Sequence, residues 1–399
     1  MAEAPWLTII GIGEDGPDGL PPASMAALEA AEIVMGPKRH LGLLPPLRAE
    51  VIEWPVPFAE GLPLLMRFRG QRVAVLASGD PFWHGAGSVL ARHFEAGEWR
   101  ALPAPSSASL AAARLGWPLE RVTCFGLHAA PLMRLRPHLA PGARLIVLLR
   151  DGEAVGALAE WLTAQGFGAS TLCVMEALGG PRERIRQARA DEMAFADIAH
   201  PVCVALEVAG EGAVVSATPG RPDDLFDHDG QITKAPVRAL TLAALAPRAG
   251  EHLWDIGAGS GAISIEWLLA HPQTTATAIE AVPERAARAR ANAERLGVDR
   301  LEVVEGRAPE ALEGSAAPQA VFIGGGLSEA LLADLWARLP EGARIVANAV
   351  TLESEALLAR WHAAQGGRLM RFDISEAAPL GSKRGWRAAY PIVQWSVMR

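Results

Sequence analysis

The chain has little cysteine: three residues in 399, Cys124, Cys173 and Cys203. They are odd in number, far apart, and never spaced C-x-x-C, so a disulfide framework and a zinc site are both disfavoured and no metal is expected. Positive charge is also short, with 37 Lys and Arg against 45 Asp and Glu and a formal net charge of −8. A nucleic-acid partner would favour a basic surface, so none is expected. A small anionic substrate is not excluded, because a pocket needs only a few local arginines. No apolar stretch approaches the roughly 20 residues of a membrane helix. The start of the chain carries Glu3 rather than a basic cluster, and its apolar run "WLTII" ends in glycine, so no signal peptide is expected either. These absences fit a reduced, cytoplasmic, soluble protein.

What is present is ordinary in bulk and specific in detail. Half of the residues are hydrophobic (50%) and 21% are charged, a balance typical of globular chains. The 40 glycines and 30 prolines are scattered, which reads as many tight connections. In the first half, short apolar runs such as Leu7–Ile12, Val73–Ala77, Leu145–Leu149 and Val202–Val208 alternate with alanine-rich helical stretches. That alternation predicts α/β architecture with a largely parallel sheet. The stretch "SATPGRPDDLFDHDGQITKAP" breaks the pattern with Pro, Asp and Gly. The reading is therefore residues 1–215 as one domain, with α/β lobes at about 1–103 and 104–210, then a linker at 216–235 and a second domain at 236–399. The second domain reads as a doubly wound sheet. Its two last strands have no helix between them, so they must pair antiparallel or lie apart.

The segment "LWDIGAGSGAISIE" feeds a strand ending in Asp255 into Gly257, Ala258, Gly259, Ser260 and Gly261, and then into a helix. Glycines allow close backbone approach and positive φ. The helix start offers free N–H groups to an anionic or polar tail. On the next strand Glu280 can accept hydrogen bonds from the hydroxyls of a ribose. Gly257, Gly259 and Ala262 also satisfy G-x-G-x-x-A, so the glycines alone do not separate a dinucleotide from S-adenosyl-L-methionine. Asp255 tips the balance, since a carboxylate beside the tail suits an ammonium and repels a pyrophosphate.

This D-x-G-x-G-x-G constellation, with the terminal strand pair, resembles the class I S-adenosylmethionine-dependent methyltransferases. Members acting on amide or exocyclic amine nitrogens usually carry an Asn/Asp-Pro-Pro-aromatic motif where this chain reads "VFIGGGLSE", so the resemblance implies carbon or oxygen methylation of a small molecule.

A second glycine loop, "GIGEDG" at 11–16, fails as a dinucleotide site: "PDGLPP" follows, and no acidic ribose ligand ends the next apolar run. Together with "LASGDPFWHGAG", "PAPSSASLAAARLG" and "LIVLLRDGEAV" it resembles the tetrapyrrole (class III) methyltransferases. The resemblance implies a bilobal fold with the cofactor in the cleft, lined at Gly11, Gly13, Gly79, Asp80, Ser106 and Ser107. Glu14 stands where proline is common in that family, and Ser107 where alanine is common.

The pairing of the two, supported by "FDHDGQITKAPVRALTLAAL", "EGRAPEAL" and "ANAVTLE", is similar to the fused, decarboxylating precorrin methyltransferases of cobalamin biosynthesis. That likeness implies a bilobal tetrapyrrole-methylase fold followed by a class I Rossmann-like domain with an antiparallel last strand. It implies two S-adenosyl-L-methionine sites per chain, the second also lined by Thr233 and Ala308. A precorrin macrocycle would be methylated at C5 by the first half and at C15 by the second, with loss of the C12 acetate carboxyl. A homo-oligomer is implied as well. No nucleophilic His or Cys is expected.

For a polycarboxylate, Arg238, Lys383, Arg384 and Arg387 are the candidate cations; His84, beside "SGDP", reads as a hydrogen-bonded structural histidine or a substrate contact, the former favoured. The helix "PERAARARANAERLG" is basic, but its interleaved Glu and Ala make it a solvated amphipathic face. Trp254 and Trp267 read as core. Two other readings stay open on sequence alone: a single-site methyltransferase with a non-catalytic recognition domain, and a cofactor-sensing binding protein.

Overall fold

The computed structural model describes residues 5–399. The chain divides into two compact units. The first takes in the chain up to Pro131 together with Leu139–Ala213, and the second comprises Leu132–His138 and Val214–Arg399. Among the described residues no helix is long and apolar enough to cross a membrane.

The first unit has two sheets. In lobe one, β1 (Leu7–Ile12), β2 (Ile33–Gly36), β3 (Glu50–Glu53), β4 (Val73–Ser78) and β5 (Trp99–Leu102) lie in the order β3-β2-β4-β1-β5, every pairing parallel. The interior strand β1, LTIIGI, is buried at every position, as a parallel strand covered on both faces must be. Lobe two orders β6 (Thr123–Gly126), β7 (Arg144–Leu149), β8 (Thr171–Glu176), β9 (Arg184–Arg189) and β10 (Val202–Glu207) as β6-β7-β10-β8-β9. Here only β6 and β7 pair in parallel; β10 inserts between β7 and β8 antiparallel to both, and β9 pairs antiparallel at the edge. The helix Gly152–Ala164 still crosses between two strands of like direction, which is the local alternation that reads as parallel in sequence. Strands β3, β5 and β9 were not expected; each is short or polar, and the RIRQAR of β9 alternates half-buried with exposed positions at the sheet edge.

The second unit orders β11 (His252–Ile256), β12 (Thr275–Glu280), β13 (Glu302–Glu305), β14 (Ala320–Ile323), β15 (Arg344–Ala349), β16 (Arg368–Phe372) and β19 (Ile392–Met398) as β13-β12-β11-β14-β15-β19-β16. The first five run parallel, and β19 is antiparallel to both β15 and β16. After β16 ends at Phe372, β17 (Ser375–Leu380) and β18 (Lys383–Ala388) form a separate antiparallel hairpin before β19. The stretch 216–235 is packed rather than free. Phe226 is buried in the same core as Leu242, Ile265 and Trp267, and Leu225 and Ile232 pack against it.

Candidate functional site

In the second unit the loop after β11 folds back over the sheet. Gly257 and Ala258 donate their N–H groups to the Ile279 carbonyl at 2.9 and 3.1 Å. Gly257, Gly259 and Gly261 all have left-handed φ, at 71°, 58° and 76°. Their packing differs. A Cβ on Gly257 would come within 2.6 Å of the Gly325 backbone, and one on Gly261 within 3.0 Å of the Ala289 Cβ. One on Gly259 would meet only the Gln231 carbonyl, at 3.7 Å. Gly257 therefore lets the loop close onto the glycine turn after β14, and Gly261 lets two helices approach. Gly259 leaves its side open to a cavity of about 2030 Å³.

Glu280 anchors this loop from the end of β12. Its Oε2 accepts from the Gly259 N–H at 2.8 Å and its Oε1 from Val282 N–H at 2.9 Å. Each oxygen keeps a second lone pair, and the side chain lines the cavity together with Thr233, Ala258, Ser260 and Ala308. Room above Gly259, a carboxylate at the lip and a glycine loop at a strand's carboxyl end fit a nucleoside with a polar tail.

Four sequence expectations change here. Asp255 does not reach the cavity: it is 1% exposed, and its Oδ2 accepts from the Ser264 N–H and Oγ at 3.1 and 2.6 Å. It ties the loop to the following helix from beneath. Burial pushes its carboxyl up to about 6, with the Glu280 charge adding, against the lowering by Ser264. Arg238 is fully buried rather than substrate-facing. Its Nε donates to Glu266 at 2.6 Å and its Nη1 to Asp223 at 3.0 Å, with further bonds to the Thr233 and Arg221 carbonyls. Glu266 sits on a helix buried almost all round, so its charge needs such a partner. Lys383 and Arg384 are exposed on β18 away from the cavity wall; their neighbour Arg387 does line it. Gly261 serves packing rather than the cavity wall. Arg307, unremarked in the sequence, lines the cavity too, and among the described residues neither it nor Arg387 has an ion-pair partner. Tyr390, 85% exposed, stands beside them. Trp254 and Trp267 are core, at 4% and 0% exposure.

The first unit holds a smaller cleft of about 510 Å³, walled by both lobes. Gly13, Gly79, Ser106 and Ser107 line it. Gly79 has φ of 52°, and a Cβ there would lie 2.8 Å from the Pro105 carbonyl oxygen, so glycine is what brings the end of β4 onto the start of the Ser107–Leu115 helix. The Ser106 Oγ caps that helix by accepting from Ser109 N–H at 3.1 Å. Gly11 and Asp80 are corrections. Gly11 lies inside β1, where a Cβ would approach the Ala104 nitrogen to 2.6 Å, and Asp80 turns away to accept from the Phe82 N–H at 2.8 Å. Both shape the cleft without lining it.

Glu14, buried on the cleft wall, is gripped by Arg39 of its own lobe and by Arg182 of lobe two, the latter at 2.9 Å. Arg39 also donates to the Ser78 Oγ at 3.0 Å and to the His40 Nε2 at 2.8 Å. A guanidinium can only donate, so His40 is neutral with its proton on Nδ1. Burial, then the Arg39 charge, pushes the His40 imidazole down to about 3. The Cys203 thiol, also on the wall, is pushed up to about 12 by burial, so it is no nucleophile at neutral pH. His84, His128 and His200 complete the lining. Sequence spacing could not unite residues 39, 128 and 200. The available signal was only that they flank the ends of β2, β6 and β10.

The Tetrapyrrole (Corrin/Porphyrin) Methylases family matches residues 6–194, and the Precorrin methyltransferase domain family matches residues 224–399. A precorrin-6Y C(5,15)-methyltransferase [decarboxylating] of Sinorhizobium sp is 51% identical over 98% of this chain and 96% of its own length. One of Mycobacterium tuberculosis is 42% identical over 98% of this chain and its whole length. The solved C-terminal domain of the Rhodobacter capsulatus precorrin-6Y C5,15-methyltransferase is 55% identical, covering 46% of this chain and 100% of that one, with a TM-score of 0.45.

Proposed function

We infer that this chain, which belongs to the precorrin-6Y C(5,15)-methyltransferase (decarboxylating) family, is a cobalamin-pathway enzyme whose two units each perform one methyl transfer on the same macrocycle. The first unit acts at C5; the second acts at C15 and removes the carboxyl of the C12 acetate arm. The observation that carries this reading is that each unit has its own cavity, built on its own glycine loop at a strand's carboxyl end.

S-adenosyl-L-methionine, when bound, supplies a methyl group on a positively charged sulfur. In the second cavity Glu280 is the ribose acceptor, while Gly259 and Ser260 border the polar tail. In the first, Gly13, Gly79, Ser106 and Ser107 border the same kind of ligand. The chain's own work is chiefly alignment of the bridge carbon, which is worth up to roughly 7–11 kcal/mol. Arg307 and Arg387, which have no ion-pair partner among the described residues, are the receptors for substrate carboxylates. Decarboxylation needs no separate electron sink, because the conjugated ring takes up the electrons left behind. We read the active form as a homo-oligomer in the cytoplasm. The exposed Leu380 and Trp386 of the β17–β18 hairpin favour a contact between copies.

Calorimetric titration of the full chain tests the two-site reading: two S-adenosylmethionine sites per chain are expected, and one would favour a single-site enzyme. Incubation with the precorrin and a carbon-13 methyl donor should place label at both C5 and C15.

A further inference from the structure

Ten histidines occur in the chain, and four of them, His40, His84, His128 and His200, line the smaller cleft. Among the described residues none lines the larger cavity, although its volume is about four times greater. His40 is tied into the Arg39–Ser78 network. The other three reach the cleft from separate loops, after β4, after β6 and before β10, and among the described residues none has a side-chain hydrogen bond. Among the described residues no His, Cys, Asp or Glu group is arranged to hold a metal.

Proton balance distinguishes the two cavities. Methyl transfer to an unsubstituted bridge carbon forms one C–C bond, and the sulfur keeps the electron pair of the bond it loses. The carbon then bears both methyl and its original hydrogen, and the ring is positively charged. Conjugation returns only when that hydrogen leaves as a proton and its electron pair returns to the ring. In the larger cavity this release is offset, because the arm that loses CO₂ takes up one proton to become a methyl group. In the smaller cleft there is no such uptake, and one proton must leave the site for each turnover.

We propose that His84 accepts the proton released from C5 in the cleft of the first unit, with His128 and His200 beside it on the route to solvent. This rests on the assignment of C5 methylation to that unit. His84 stands on the same loop as Gly79, five residues on. Its backbone is held at φ of 55°, a conformation uncommon outside glycine and one that persists only where the surroundings impose it. Its side chain packs against Gly126, where an added Cβ would come to 2.9 Å from the imidazole Cγ. The glycine thus makes room for the ring. Burial, with the neighbouring histidines adding for His128 and the Arg39 charge for His200, holds both below the ordinary imidazole range, so they are neutral carriers at neutral pH.

The test is His84→Asn in the full chain, since asparagine tolerates the left-handed backbone and cannot take the proton. Substrate deuterated at the C5 bridge is methylated by wild type and variant, and label at C5 and C15 is followed separately. C5 methylation should fall roughly 10²–10⁴-fold and acquire a primary deuterium isotope effect that wild type lacks. C15 labelling and calorimetric binding of the macrocycle should be unchanged. Added imidazole should restore C5 methylation in His84→Gly. A variant as fast as wild type at C5, or one slowed with no isotope effect, overturns the proposal, as does parallel loss of macrocycle binding. Wild type that places no label at C5 would instead overturn the unit assignment.

Discussion

The Arg238 guanidinium meets the Glu266 carboxylate at 2.6 Å with neither side chain exposed to solvent. Glu266 also accepts the Gly220 and Arg221 N–H groups at 2.7 and 3.0 Å, and Arg238 reaches the Thr233 carbonyl. One buried pair thus fixes the stretch that carries Thr233 to the cavity rim. Removing one partner of such a pair costs about 3–5 kcal/mol. Arg238→Ala should lower the melting temperature of the second unit by several degrees and lose C15 methylation with it. Arg387→Ala should leave the melting temperature unchanged and raise KM for the macrocycle. Equal thermal stability of Arg238→Ala and wild type would refute the structural role.

The loop glycines should separate folding from binding. Gly257→Ala forces a methyl into the Gly325 backbone and should yield a destabilised or unfolded second unit. Gly259→Ala meets no more than an ordinary contact with the Gln231 carbonyl, so its cost is the left-handed φ, about 1 kcal/mol. Its methyl projects toward the cavity, so it should bind S-adenosylmethionine at least tenfold more weakly while melting within a few degrees of wild type. Calorimetry and thermal melts on the same samples check both.

Glu280→Ala removes the anchor of the Gly259 N–H and the acceptor for a ribose. Hydrogen bonds to a charged group contribute about 1.5–3 kcal/mol, which corresponds to a loss of roughly 10–100-fold in affinity at the second site. Label should vanish from C15 and persist at C5. Loss at both carbons would contradict independent sites.

His40 makes the first unit sensitive to acid. Its folded pKa of about 3 lies below the 6.5 of a free imidazole, so below pH 6.5 the unfolded chain binds a proton that the folded chain refuses. Stability that is intact above pH 6.5 is therefore lost as pH falls toward 3, at about 1.4 kcal/mol per pH unit from this group. Denaturant unfolding of wild type and His40→Gln between pH 7.5 and 4.5 should show a steeper decline in wild type. Parallel curves would remove His40 from the account.

Much of this was legible in the sequence because the relevant signals are local. A glycine loop between an apolar strand and a helix, and an acid on the next strand, occupy contiguous residues, so Gly257, Gly259 and Glu280 stood out. What escaped depends on which way a side chain turns at the end of an element. Asp255 and Glu280 both occupy strand ends. One turns inward to Ser264 and the other toward the cavity, and spacing does not distinguish them. Arg238 reads in sequence as a candidate cation for substrate carboxylates, and only the fold brings it to its buried partner Glu266. The histidine cluster could not be read at all, since residues 84, 128 and 200 meet only when two lobes are folded together.

Glu14 gives the first unit an architectural constraint. Its carboxylate belongs to one lobe, and one of its two counter-charges comes from the other. Severing the gene between the lobes, near residue 103, would orphan an anion shut away from water and leave each fragment with half a wall of the cleft. Those two lobes are therefore expected to be inherited, expressed and swapped between chimaeras only as a single cassette.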